Sequence, residues 1–149
     1  MRITATQIEK WADTREAQGL LPILVRRLVL ASCKPTQIAI AGGDSVIAPG
    51  WDGQLTCADG NAWIPVGGSR WEMGCSSDAI EKARSDYKKR SDETPSSEAA
   101  DLTFVFVTPR RWHQKVKWLR EAAATNHWKA IGAIDADDLE AWQIGRAHV

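Results

Sequence analysis

Ser69-Arg70-Trp71-Glu72-Met73-Gly74-Cys75 decides the reading of this chain, because an acid stands in the middle of an otherwise strand-like run. In an extended segment side chains alternate, so Arg70, Glu72 and Gly74 share one face while Trp71 and Met73 share the other. A strand that buries Trp71 and Met73 does not favour a carboxylate between them unless that carboxylate has a partner. Ser76, Ser77 or Asp78 then offers an N-cap, and a helix is expected to run to about Arg90. Its apolar face is Ile80, Ala83 and Tyr87; Lys82, Asp86 and Lys89 occupy the opposite face at i, i+4 and i+7. The polar stretch Asp92–Ala100, with Pro95, reads as a mobile loop. Leu102-Thr103-Phe104-Val105-Phe106-Val107 is apolar almost throughout and suits a central strand. Strand, helix, strand in this order makes a right-handed crossover between parallel strands.

Upstream, Thr6-Gln7-Ile8-Glu9 has capping-box spacing, which predicts a short helix from about Gln7 to Asp13. Leu20, Leu21, Leu24, Val25, Leu28 and Val29 then recur at helical spacing between Thr14 and Ser32. Pro22 interrupts that pattern, so the helix is kinked there or begins near Leu21. Gln37–Ala41 is a short strand, and Gly42, Gly43, Pro49 and Gly50 form a loop leading into Trp51-Asp52-Gly53. Gln54–Ala58 and Ala62–Val66 read as two strands around a hairpin turn at Asp59-Gly60-Asn61. Downstream, Pro109 starts a turn, a helix spans about Arg111–Thr125, Lys129–Ile134 is the last strand, and Ala136 opens another helix. The sum is an α/β layered sandwich: a helix, three or four antiparallel strands, then alternating helices and strands.

Composition narrows the function classes. With 44% hydrophobic and 26% charged residues, the chain of 149 residues can bury a core as one domain. Its apolar run around Leu20–Ala31 is broken by Pro22, Arg26 and Arg27 and falls short of the roughly 18 residues of a membrane span, so no membrane association is expected. No secretory leader pattern follows Met1, and the expected location is cytoplasmic. Cys33, Cys57 and Cys75 have no metal spacing, form no obvious disulfide set and read as buried thiols. Zero net charge removes any global electrostatic case for nucleic acid, leaving only local patches. Eight tryptophans read mainly as packing residues. Gln143-Ile144-Gly145-Arg146-Ala147-His148-Val149 reads as one frame of a widely used short-read sequencing adapter. The expected division is therefore a domain over 1–142, the N-terminal part of something longer, and a non-native tail over 143–149.

Asp52 heads one strand and Glu72 lies on the next, so one sheet can set the two carboxylates side by side. Close carboxylates are costly without a cation between them, and Mg²⁺ is commonly held by one or two carboxylates plus waters and substrate phosphate. Basic residues gather as Lys82, Arg84, Lys88, Lys89 and Arg90, and again as Arg110, Arg111, His113, Lys115 and Lys117. Such runs are either solvated faces or phosphate-binding surfaces. The turn Thr108-Pro109-Arg110-Arg111 could also offer backbone N–H groups to a phosphate. A nucleotide-binding α/β fold is disfavoured, because Gly42-Gly43 and Gly67-Gly68 lead toward strands rather than helices.

The element order, with an acid on one strand and Glu-x-x on the next, resembles the PD-(D/E)xK, restriction-endonuclease-like superfamily. The runs Gly50-Trp51-Asp52-Gly53, Pro65–Gly74, Lys82-Ala83, Asp86–Arg90, Phe104–Arg110 and Asp135–Glu140 look like the nuclease-like N-terminal domain of large bacterial multidomain proteins, some of them anti-phage NTPases. The resemblance spans about residues 14–142 and implies an αβββαβ layered sandwich with a mixed sheet. It implies Asp52 and Glu72 as ligands of Mg²⁺, with Mn²⁺ as a substitute, and Glu16 as a candidate further acid from the first long helix. The implied activity is endonucleolytic hydrolysis of DNA, with Lys88, Lys89, Arg90, Arg110 and Arg111 contacting the nucleic acid and a homodimer as one assembly. Such a domain would work as an effector module of a larger defence protein, joined to further polypeptide beyond residue 142. The motif's lysine position, two residues after Glu72, holds Gly74 instead. Lys82 on the following helix is the replacement candidate for the catalytic set Asp52, Glu72 and Lys82. If Lys82 only pairs with Asp78 or Asp86, the domain is a catalytically inactive module for nucleic-acid binding or protein interaction.

Overall fold

The computed structural model describes residues 2–40 and 51–147. Among the described residues, five strands form one mixed sheet in the order β1 (Gln37–Ile40), β2 (Gly53–Cys57), β3 (Gly67–Met73), β4 (Leu102–Val107) and β5 (Ala130–Ile134). The β1–β2 and β2–β3 pairs are antiparallel, and the β3–β4 and β4–β5 pairs are parallel. Helices α1 (Ala5–Trp11), α2 (Ala17–Ser32) and α6 (Ala136–Ala147) cover one face, and α3 (Ala79–Glu93), α4 (Ser96–Ala99) and α5 (Lys115–Ala123) cover the other. The architecture is a three-layered α/β sandwich. Among the described residues no helix is long and apolar enough to cross a membrane.

Alternation along the strands builds a separate core on each face. Ile40, Leu55, Trp71, Met73, Val105 and Val107 meet Leu21, Val25, Val29, Leu139 and Trp142 on the first. Phe104 and Phe106 meet Ala83, Tyr87, Trp118 and Trp128 on the second. The expected α2 stripe packs on β3 and β4 except for Leu20, which is exposed, and the expected α3 stripe packs on β4. All eight tryptophans are buried or half-buried, in keeping with their reading as packing residues.

Several boundaries differ from expectation, each for a local reason. The capping box lies two residues earlier: Thr4 Oγ1 accepts from the Gln7 amide, and Gln7 Oε1 accepts from the Thr4 amide. Thr6 and Glu9 are spent on a long-range contact instead, accepting from the Arg111 guanidinium and the Arg111 amide. Helix α2 runs through Pro22, which lacks the N–H that would bond Gln18 one turn back. The segment 62–66 is not a strand. Asn61 Oδ1 accepts from the amides of both Trp63 and Ile64, Ile64 is buried, and Trp63 stacks on Trp142, so a compact turn leads to β3 at Gly67. Segment 92–100 is folded: α3 continues to Glu93, and α4 buries Ala99. Helix α5 starts only at Lys115, because the amides of Arg110 and Arg111 are held by Thr108 and Glu9. Gly42, Gly43, Pro49 and Gly50, expected in a loop, lie outside the described residues.

Candidate functional site

The β2–β3 register pairs Gly53 with Trp71, which sets Asp52 beside Glu72 at one end of the sheet. Each acid binds the main chain of the other's strand. The Asp52 amide donates to Glu72 Oε2 at 3.0 Å, and the Met73 amide donates to Asp52 Oδ2 at 2.9 Å. Glu72, only 3% exposed, faces the α3 side of the sheet, as alternation requires. There it meets Arg90, whose Nε donates to Glu72 Oε1 at 2.6 Å. The Arg90 guanidinium also binds Glu93 and lies 5.5 Å from the Trp51 ring centroid. Burial pushes the Glu72 carboxyl up to about 7; the Arg90 contact pulls the other way, and the Asp52 charge adds to the rise.

Lys82 reaches this end of the sheet from α3. A Cβ placed on Gly74 would lie 2.9 Å from both Cγ and Cε of Lys82, so the lysine stem fills the space that a side chain at position 74 would take. Its Nζ donates to Asp86 Oδ1 at 3.1 Å, and the Asp86 side chain is only 13% exposed. Lys82, Asp86 and Arg90 are spaced four residues apart and form one row on α3 beside β3. From the other layer, Gln18 of α2 donates to the Met73 carbonyl and accepts from the Cys75 amide, bracketing Gly74. Glu16 is exposed at the N-terminal end of α2. Two helical positions are about 200° of rotation, so with Gln18 turned toward β3, Glu16 points elsewhere.

The basic residues divide by what they touch. Lys88 and Lys89 are exposed on α3, with Lys88 paired to Asp92. Arg90 is committed to Glu72 and Glu93. Arg110 holds Asp13, the Ala12 carbonyl and the Cys75 carbonyl, and Arg111 holds α1 through Thr6 and Glu9 and approaches Asp137. Both arginines therefore clamp the strand-to-helix turn to α1, and its amides are already used within the chain. Lys115 is likewise tied to Asp135 and Asp138.

The Lys82–Asp86 pair is one of the two pairings that the helical spacing offered, whereas Gln18, the Arg90 contact and the Trp51 stack carried no signal in the sequence. Each depends on which helix face lies over which strand. A row at i, i+4 and i+8 is visible in Lys82, Asp86 and Arg90, but it becomes a site only once Glu72 lies beneath it.

Among the described residues, no cluster of three or more His, Cys, Asp or Glu side chains is arranged to hold a metal ion. Asp52 and Glu72 form a two-carboxylate set, which is the donor number Mg²⁺ commonly takes from protein. Its chemistry suits a hard cation: carboxylate oxygens keep further lone pairs beyond one hydrogen bond each, and the desolvated Glu72 gains from added positive charge. Arg90 is the competing cation already present. Comparison with known proteins finds no matching family model, no matching curated protein and no matching solved structure.

Proposed function

We propose that this chain is a Mg²⁺-dependent, restriction-endonuclease-like nuclease domain that hydrolyses DNA phosphodiester bonds in the cytoplasm. The observation that carries the reading is Lys82. Its stem occupies the space over Gly74, two residues after Glu72, where the PD-(D/E)xK motif has its lysine. A helix-borne lysine thus takes the volume of a strand-borne one. The element order α2, β1, β2, β3, α3, β4, with β4 parallel to β3, supports the αβββαβ arrangement.

Asp52 and Glu72 would hold the cation, which when bound supplies polarisation of a phosphoryl oxygen and a more acidic attacking water. Lys82 contributes an ammonium that can offset charge developing on the phosphate, with Asp86 fixing its direction. Exposed Lys88 and Lys89 would bind backbone phosphates without reading sequence. A second reading rests on a different observation. The Lys82 ammonium is paired with Asp86 at 3.1 Å and Arg90 neutralises Glu72 with a 2.6 Å contact, as expected of a nuclease-fold module that binds nucleic acid or protein without cleaving.

The lysine can be moved to test the proposal. Purified protein is incubated with plasmid and Mg²⁺ as wild type, Lys82→Ala, Gly74→Lys/Lys82→Ala, Asp52→Ala and Glu72→Ala. Lys82→Ala is expected to lose about 10²–10³-fold in cleavage, and Gly74→Lys/Lys82→Ala to recover part of it. Mn²⁺ should raise the Tm of wild type but not of Asp52→Ala. Equal cleavage by all five proteins would sink the assignment. No cleavage and no Mn²⁺ shift in the wild type would leave the non-catalytic reading standing.

A further inference from the structure

Cys33 and Cys57 are 24 residues apart in sequence, yet their sulfur atoms lie 2.9 Å from each other. Cys33 is the C-cap of α2, and Cys57 is the last residue of β2. We propose that this pair is a modification site: a dithiol that closes to a Cys33–Cys57 disulfide when a hydroperoxide oxidises it, and that thiol reductants reopen. The sulfurs stand within about 1 Å of the bonded separation of about 2.05 Å, so only a small approach of the two side chains is needed to close the bond.

The surroundings divide the two roles. Cys33 is half-buried and lines a surface cleft of about 390 Å³ with Lys34, Ala58 and Asp59, so a small oxidant reaches it. Cys57 is 1% exposed, and burial, reinforced by the Cys33 contact, pushes its thiol up to about 12. The outer sulfur therefore meets the oxidant and the inner one keeps its proton. Cys33 attacks a peroxide oxygen, the O–O bond breaks, and Cys33 sulfenic acid and one water result. Cys57 sulfur then attacks the Cys33 sulfur. The S–O bond breaks, and the departing hydroxyl leaves as a second water with the Cys57 proton. Two thiols and one hydrogen peroxide thus give one disulfide and two waters.

Cys33 is also fixed in place by its neighbours. The adjacent Ser32 Oγ accepts from Trp142 Nε1 at 2.9 Å and from Asn61 Nδ2 at 3.3 Å, which holds the end of α2 against the 58–66 turn. The third cysteine, Cys75, accepts the Arg110 guanidinium through its carbonyl at the opposite end of the sheet and serves as an internal control. The bond would tie α2, which carries Gln18, to β2, which Asp52 precedes.

The full chain is reduced, freed of reductant and titrated with hydrogen peroxide at neutral pH. The intact mass is expected to fall by two hydrogens, and a non-reducing peptide map to join Cys33 to Cys57, with Cys75 still alkylatable. Dithiothreitol should restore the mass. The oxidised form should melt about 5–10 °C higher, as loop closure reduces the freedom of the unfolded chain. Cys75→Ser should behave as wild type, and Cys33→Ser should show neither the mass loss nor the Tm rise. Oxygen addition at Cys33 without linkage, a link through Cys75, or the same mass loss in Cys33→Ser would each overturn the proposal.

Discussion

Arg90 serves two neighbours at once: it neutralises a buried acid and lies against Trp51. Removing one member of a buried pair leaves a desolvated charge, at a cost of about 3–5 kcal/mol. Arg90→Met should therefore lower stability by about that much at pH 8. The sign of the pH dependence follows from Glu72. Its folded pKa is raised to about 7 from the ordinary carboxyl value of 4.5, so protons bind the folded state more tightly than the unfolded one. This group's favourable contribution is full below about pH 4.5 and is lost as pH rises through about 7. Without Arg90 the carboxyl would rise further, and at pH 5 it holds its proton in wild type and variant alike, so no bare charge is left buried there. The variant's penalty should be smaller at pH 5 than at pH 8, read as the difference in urea midpoints against wild type. A penalty equal at both pH values, or larger at pH 5, would show that Glu72 is not the group affected. The neighbourhood of Asp52 and Glu72 was legible from strand alternation and the spacing of two strand-like runs. Arg90 was legible only as a basic residue, because its partner is set by how α3 docks on β3.

At the scale of elements, the sequence is clearest where a single periodicity rules and least clear where two local signals compete. β4 and the long α2 were readable because their apolar patterns fill the whole segment. Thr4-x-x-Gln7 and Thr6-x-x-Glu9 both have capping spacing, and only the fold decides, by drawing Thr6 and Glu9 to Arg111. Thr4→Ala should then cost about 1 kcal/mol of stability as a lost N-cap. Thr6→Ala should cost less, since it removes one exposed contact to a side chain. Urea titrations of both variants check the order, and the reverse order would return the cap to Thr6. The 58–66 turn failed as a hairpin reading for a similar reason. Asn61 was correctly a turn residue, but its side chain captures the amides of Trp63 and Ile64, which a returning strand would need. Asn61→Ala should therefore leave two amides short of an acceptor and lower stability by about 1–3 kcal/mol, measured by the same titration.

For the whole molecule, the decisive feature is that one sheet supports two cores with different chemistry. The α1/α2/α6 side is mostly aliphatic, whereas the α3/α5 side is a chain of aromatic rings linking Trp51, Phe104, Trp128, Trp118, Phe106 and Trp112. β4 sends Val105 and Val107 into one core and Phe104 and Phe106 into the other, while its neighbour β3 places Trp71 and Met73 on the first side and Glu72 on the second, so neither core can open without exposing the backs of the same strands. That coupling predicts one cooperative transition rather than two. Trp142, fully buried on the first side, stacks on Trp63 at 5.7 Å and donates to Ser32; Trp118, buried on the second, packs against Phe104 and Phe106. Either tryptophan cut to alanine should cost about 3–5 kcal/mol. In each variant the fluorescence and far-UV circular dichroism midpoints should move together. The two midpoints would separate in one variant or both if the cores were independent folding units, and β3 would then not be the shared element on which the candidate site is built.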